Sequence, residues 1–177
     1  MMSKTRTSGA DVHRPDRRAA RRSAYREHAC SYDSRTGAFQ SYRRALVEAL
    51  PVSPGQVVLD VGSGTGLCSG LLQDKVGPQG GVVGIEESPE MAAVARERIA
   101  GEGWRNVTVV QSPAEDAQIA VTADAAVFCA VHDILQSPGA LRNVMSTLRP
   151  GAWVAAGGGK WAAPWMADRH GWRVGVM

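Results

Sequence analysis

From about residue 39 the chain alternates between two hydrophobic periods. Tyr42, Leu46, Ala49 and Leu50 fall on one face of a helix that Pro51 and the turn residues Ser53, Pro54 and Gly55 bring to a stop. Short apolar runs with strand character follow at 57–61, 82–86, 107–111, 125–131 and 153–156, separated by helical patterns over about 66–75, 89–101 and 138–148. The last helix carries Leu141, Val144, Met145 and Leu148 at i, i+3, i+4 and i+7, with Ser137 as N-cap and Pro138 at the first helical position. The stretch 113–122 is too polar to read as a helix. Strands that are apolar nearly throughout, alternating with helices, predict an α/β fold with a parallel sheet covered on both faces.

Composition narrows this to one domain, since 177 residues with 44% hydrophobic and 21% charged side chains supply a single core. The net charge of +3 is unevenly placed: residues 1–27 hold eight Lys or Arg against three Asp or Glu, which leaves the remainder slightly acidic. Residues 1–24 have almost no large apolar side chain and read as a disordered basic arm, followed by a helical lid over 25–51, the main domain over 52–158 and a short tail over 159–177. Within the arm Arg14, Arg18, Arg22 and Arg26 recur at helical spacing with Arg17 and Arg21 beside them. Like charges at that spacing oppose a helix, so a solvated tail is the expectation and nucleic-acid contact rests on the arm alone. Three cysteines without Cys-x-x-Cys spacing exclude a disulfide framework and fit a reducing cytoplasm. No apolar run approaches the ~18 residues of a membrane span, and the N-terminus lacks the apolar core of a secretion signal. His13, His28, Cys30 and His170 have no ligand spacing, so no metal site is expected.

The chemistry concentrates where the first strand runs through Asp60 and Val61 into Gly62, Ser63, Gly64, Thr65 and Gly66 and then a helix. Glycines let the backbone turn sharply and approach a ligand, while a helix N-terminus directs unpaired N–H groups into the crevice. A dinucleotide fingerprint would need its third glycine at position 67, where this chain has Leu67. Asp60 would repel a pyrophosphate but suits a ligand with an amino group. At the end of the second strand, Glu86 is placed to accept hydrogen bonds from ribose hydroxyls, and Glu87 to face water or cap the next helix.

These residues resemble the class I S-adenosylmethionine-dependent methyltransferases, in the branch acting on small molecules, over about residues 52–158. The resemblance rests on the acid before Gly-x-Gly-x-Gly, on Glu86 with its Ser-x-x-Met sequel ending at Met91, and on Leu148-Arg149-Pro150-Gly151 before the fifth strand. Tyr32-Asp33 also resembles a pair that closes over the cofactor in this branch, although a packing tyrosine reads equally well. The resemblance implies a Rossmann-like parallel sheet in strand order 3-2-1-4-5. It implies S-adenosylmethionine as cofactor, with Asp60 and the loop of Gly62, Ser63, Gly64 and Gly66 at the methionine part, Glu86 at the ribose, and Met91 or Ile85 near the adenine. Where relatives carry an acid for the adenine amino group, this chain has Pro113; Ala114 and Glu115 or backbone groups stand in for it.

Methyl transfer is an in-line displacement that asks mainly for alignment and, for some acceptors, a proton acceptor. His132 after the fourth strand is the candidate base, with a structural or pocket-lining role as the alternative, and Asp133 could orient or replace it. Cys68 and Cys129 have apolar neighbours and no histidine paired with them, which reads as inert thiols. The expected activity is methylation of a small molecule; the alternative is a cofactor-binding remnant or interaction module without activity. Only about 19 residues follow Gly158, too few for the helix and two strands that relatives add at ordinary element lengths. The expectation is therefore a shortened fold whose last helix and hairpin are missing, with Trp161, Trp165 and Trp172 beside an open sheet edge that favours self-association.

Overall fold

The computed structural model describes residues 31–158. The basic arm, His13, His28, Cys30 and everything else before residue 31, and the tail with His170 and its three tryptophans lie outside the described residues. A helical turn over 31–36 and a 3-10 turn Gly37–Phe39 lead into α1 (Gln40–Glu48). Then follow β1 (Val57–Val61), α2 (Leu67–Val76), β2 (Gly81–Glu86), α3 (Pro89–Glu102), β3 (Val107–Gln111), β4 (Ala123–Cys129), the 3-10 turn Ile134–Gln136, α4 (Pro138–Ser146) and β5 (Leu148–Gly157).

All five strands are parallel, in the order β3-β2-β1-β4-β5, as expected. The order reverses beside β1, so the carboxyl ends of β1, β2 and β4 open a crevice between the connections that leave to either side. β1 is central and almost wholly buried. One face packs Val58, Val82, Val107, Ala125 and Val127 against Leu46, Val47 and Leu50 of the α1 region and Leu72 and Val76 of α2. The other packs Leu59, Val61, Ile85, Ala126 and Phe128 against Ala140 and Val144 of α4 and against Ala114 and Ala117 of the connection after β3. That connection forms no helix. Asn143 on α4 donates to the Ala114 and Ala117 carbonyls at 2.8 and 2.9 Å, which holds an irregular segment to the sheet.

Three boundaries depart from the hydrophobic pattern. β4 covers 123–129 rather than 125–131, because Ala130 takes a left-handed conformation (φ 60) that ends the strand. β5 begins at Leu148, which the periodicity assigns to the preceding helix. Its register shifts between Ala123 and Ala125, so that Leu148 faces Ala123 while Trp153 faces Ala125. Pro150, which has no N–H to give, and Gly151 (φ 79) lie in the extra length. Arg149 pins it by an ion pair to Asp124 at 2.9 Å, and Asp124 also accepts the Val57 N–H at 2.6 Å. In α1 the buried stripe is Arg43, Leu46, Val47 and Leu50; Ala49 is exposed, and the Tyr42 hydroxyl occupies the space that a side chain at Gly157 would need. β5 is a sheet edge that pairs, among the described residues, with β4 alone.

The end of α1 is held by one cation. Lys75 of α2 donates to the carbonyls of Val47 and Glu48, each at 2.9 Å, and of Leu50. The Val47 and Leu50 carbonyls also accept the Leu50 and Val52 N–H groups, at 3.2 and 2.8 Å, so the ammonium is an added donor at this helix end. Lys75→Met should therefore leave three carbonyls without that donor and lower stability by about 1–3 kcal/mol. Thermal unfolding checks this, with an expected drop of roughly 2–4 °C per kcal/mol for a chain of this size. An unchanged melting temperature would show that water replaces the ammonium without loss.

Candidate functional site

The turn after β1 is built from backbone that only glycine adopts freely. Gly62, Gly64 and Gly66 have φ of 70, 57 and 83, all left-handed. The Gly62 and Ser63 N–H groups both donate to the Ile85 carbonyl, at 2.8 and 3.0 Å, which fastens the turn to the end of β2. A Cβ on Gly62 would lie 2.4 Å from Val131 Cγ1, so the wall following β4 seats directly on this glycine. Gly66 caps α2 without any side-chain hydrogen bond to its first turn. The amides there are left for a ligand or solvent.

Two carboxylates flank the turn. Asp60 is 1% exposed and accepts a hydrogen bond from Ser69 Oγ at 2.7 Å. Burial pushes its carboxyl up from 3.8 to about 6, against the opposing effect of the Ser69 bond. Glu86 accepts the Gly64 N–H at 2.9 Å on one oxygen and the Ser88 N–H at 2.8 Å on the other, and burial raises its carboxyl too. Capping of α3 falls to Ser88, whose Oγ accepts the Met91 N–H at 3.3 Å. Of the two places expected for Glu87, the cap is thus taken by Ser88, and Glu87 is half-buried at the lining of the larger recess.

Two connected recesses meet at this turn. The larger, about 130 Å³, is lined by Gly62, Gly64, Ile85, Glu86, Met91, Ala114 and Glu115 among the expected residues, and also by Pro113 and Asp133. The smaller, about 40 Å³, lies against Asp60, Gly62, Ser63 and Gly64. Ser63 Oγ is fully buried without a hydrogen-bond partner and fills the space that a Cβ at Gly84 would need. Gly66 lines neither recess and packs toward Ala95 and Arg98 of α3. His132 is exposed and lines neither; its ring lies beside Gly158.

Sequence reasoning missed Arg43. This residue is 7% exposed and lines the smaller recess with Asp60, Tyr32, Cys68 and Cys129. Its guanidinium donates to the Thr36 carbonyl at 3.0 Å and to Gln40 Oε1 at 3.4 Å, and it bonds the Tyr32 hydroxyl. No carboxylate among the described residues pairs with it. A buried, uncompensated cation is costly unless something neutralises it. The signal was present: Arg43 sits at i−3, i−4 and i−7 to Leu46, Val47 and Leu50, a charge on an otherwise apolar stripe.

Tyr32 lines both recesses, and burial raises its phenol. Asp33 next to it accepts from Thr65 Oγ1 at 2.5 Å and forms an ion pair with Arg98 of α3, while Arg98 Nε donates to the Thr65 carbonyl at 2.9 Å. The segment before α1 is thereby tied to the glycine turn across the mouth of the smaller recess. An acid and a base, Asp60 and Arg43, line one small recess, which suits a zwitterion; the carboxylate at the end of β2 offers a receptor for vicinal hydroxyls; Ile85, Met91, Pro113 and Ala114 offer an apolar slot. Those three features, in that order along one crevice, fit an adenosyl amino acid.

A family profile described as "Methyltransferase domain" matches residues 58–151. An uncharacterized 37.1 kDa protein in transposon TN4556 of Streptomyces fradiae is 34% identical over 131 residues, 71% of this chain and 36% of that protein. The ubiquinone/menaquinone biosynthesis C-methyltransferase UbiE of Legionella pneumophila is 31% identical over 121 residues, 65% of this chain and 47% of that protein. The arsenite methyltransferase of Halobacterium salinarum is 32% identical over 122 residues, 66% of this chain and 30% of that protein. The chain thus spans between about a third and a half of the length of these relatives. Among solved structures, a SAM-dependent methyltransferase from Aquifex aeolicus superposes with a TM-score of 0.58 at 27% identity, covering 64% of this chain and 62% of the other. Sheet order, glycine turn and family profile agree, and the chain belongs to the class I S-adenosylmethionine-dependent methyltransferases.

Proposed function

We propose that this chain transfers a methyl group from S-adenosylmethionine to a small-molecule acceptor. The observation that carries the reading is the buried pair of Asp60 and Arg43 facing one recess beside the glycine turn, with Glu86 at its outer end. Asp60 takes the amino group of the cofactor and Arg43 its carboxylate, beside the glycine turn at 62–66. Glu86 takes the ribose hydroxyls. Ile85, Met91 and Ala114 flank the adenine, with Glu115 and the backbone beside Pro113 at its edge. When bound, the cofactor supplies an electrophilic methyl on a positively charged sulfur.

The protein's part is to align the acceptor and keep water away. Proton removal, where the acceptor needs it, falls to one of two adjacent residues that the left-handed turn at Ala130 sends apart: Asp133 lines the larger recess, and His132 lies at Gly158 next to it. Glu86, Glu87, Glu115 and Asp133 line that recess, with no Lys, Arg or His among the described residues that line it. Such a field favours a neutral or cationic acceptor over a polyphosphate and supports the small-molecule reading. The names of the relatives that act on quinone precursors and arsenite support it too.

Titration calorimetry with S-adenosylmethionine and its demethylated product tests the binding half. Affinity should fall at least tenfold, about 1.4 kcal/mol, in Asp60→Ala, Glu86→Ala and Arg43→Met, and NAD should not compete. Equal or tighter NAD binding would overturn the assignment. Single-turnover transfer of labelled methyl into a small-molecule extract tests the chemistry, and cofactor binding with no transferred label would favour a binding module instead.

The pH dependence follows from Asp60. Its carboxyl in the free fold titrates at about 6 instead of 3.8, so its contribution to stability is fully present below 3.8 and is lost as pH rises through about 6. An ammonium group in the recess favours the ionised form. Affinity should therefore tighten as pH rises from 5 to 7 and level off above, by up to about tenfold per pH unit on the steep part. In Asp60→Asn that rise should shrink to what Glu86, raised in the same direction, contributes. A flat profile in the unmodified chain would show that Asp60 does not meet the amino group.

A further inference from the structure

Arg98 of α3 lines neither recess, yet its side chain holds two separate parts of the crevice together. Its Nε donates to the Thr65 carbonyl at 2.9 Å, and a terminal nitrogen pairs with Asp33 Oδ2. The other Asp33 oxygen accepts Thr65 Oγ1 at 2.5 Å, and Thr65 is 1% exposed. A planar guanidinium presents its donors in a fixed fork, so one side chain reaches the turn and the carboxylate together. Its stem is seated as well, since a Cβ on Gly66 would lie 3.6 Å from Arg98 Cδ, an ordinary packing distance. Three elements thus meet at one point: α3, the turn between Gly64 and Gly66, and the helical turn over 31–36.

That helical turn is held at two places. At its end Arg43 donates to the Thr36 carbonyl at 3.0 Å, and Thr36 Oγ1 donates back to the Tyr32 carbonyl at 2.9 Å. Near its start Asp33 is held by Thr65 and Arg98, and the residue beside it is Tyr32, which lines both recesses. The two holds differ in kind. Arg43 is 7% exposed, whereas the Arg98 and Asp33 side chains are 27% and 37% exposed. A partly exposed ion pair is screened by salt, so the hold at Asp33 is the one that opens more readily.

We propose that Arg98 is a positioning residue: with Asp33 and Thr65 it forms a salt-sensitive latch that keeps Tyr32 against the two recesses and slows release of the cofactor. Thr36 is the pivot and Asp33 the catch. With the catch made, Tyr32 is in place before a ligand arrives, and the cost of ordering it does not weaken binding. With the catch broken that cost returns, and the ligand leaves faster. The occupant is S-adenosylmethionine or its demethylated product, and in this respect the inference rests on the proposed cofactor reading.

The test compares the full chain with Arg98→Met, Asp33→Asn and the double variant. Surface plasmon resonance with the demethylated cofactor gives association and release rates, and hydrogen exchange reads the amides at 31–36. Each single variant should release the cofactor about fivefold faster or more with association nearly unchanged, and exchange at 31–36 should quicken while that of β1 stays as it was. One latch is broken whichever side is removed, so the double variant should release no faster than the singles. Raising salt from about 0.05 to 0.5 M should speed release from the unmodified chain about twofold more than from Arg98→Met, a difference that a merely structural contact does not confer. Release rates in both single variants close to that of the unmodified chain would overturn the latch, as would effects that multiply in the double variant or unchanged exchange at 31–36. Lost protection throughout β1 would make Arg98 a general stabilising contact and end its positioning role. If the unmodified chain binds no cofactor, the cofactor reading fails, and faster exchange at 31–36 in Arg98→Met still supports the latch on Tyr32.

Discussion

The hydrogen bonds that fasten the glycine turn to the end of β2 set the position of everything else in the crevice. Two consecutive N–H groups, from Gly62 and Ser63, converge on the Ile85 carbonyl, and the next glycine amide, from Gly64, reaches the Glu86 side chain. Convergence of that kind needs left-handed backbone at Gly62 and Gly64, which is why side chains are missing there. The space left by the absent Cβ of Gly62 is taken by Val131, so the same contact that shapes the turn also positions the wall after β4. The glycine turn, Glu86 and the wall after β4 are thus parts of one packed unit.

Buried charge is the second organising constraint. Asp60 and Arg43 are both nearly inaccessible and face one small recess, yet each is held by neutral partners: Ser69 for the acid, the Thr36 carbonyl and Gln40 for the base. Burial disfavours the charged form of the acid, and the Asp60 carboxyl is displaced upward accordingly.

The segment before α1 contributes through tertiary contact alone. Asp33 joins Thr65 in the glycine turn to Arg98 on α3, and Tyr32 is thereby held against both recesses. The Tyr32-Asp33 pair, Thr65 and Arg98 are far apart in sequence, and the contacts among them have no trace in it. Their joint effect is to roof the recess with a phenol whose hydroxyl bonds the Arg43 guanidinium.

Local chemistry by itself determined the parallel α/β architecture, the strand order implied by the family resemblance, and the glycine turn with its two acids. Those features depend on short-range rules: apolar runs of strand length, caps such as Ser137 before Pro138, and positive φ that glycine tolerates. The end of β4, the register shift in β5 and the exposure of His132 beside a cavity-lining Asp133 were not legible, because a left-handed alanine and an interrupted ladder leave no periodic trace. Arg43 was half legible, as a charge on an apolar stripe, but its meaning required Asp60 to be across the recess from it. That Cys68 and Cys129 line one recess was decided wholly in three dimensions. Adjacency of two parallel elements is set by the packing of the whole sheet, and no spacing along the chain encodes which side chains the crevice will bring face to face.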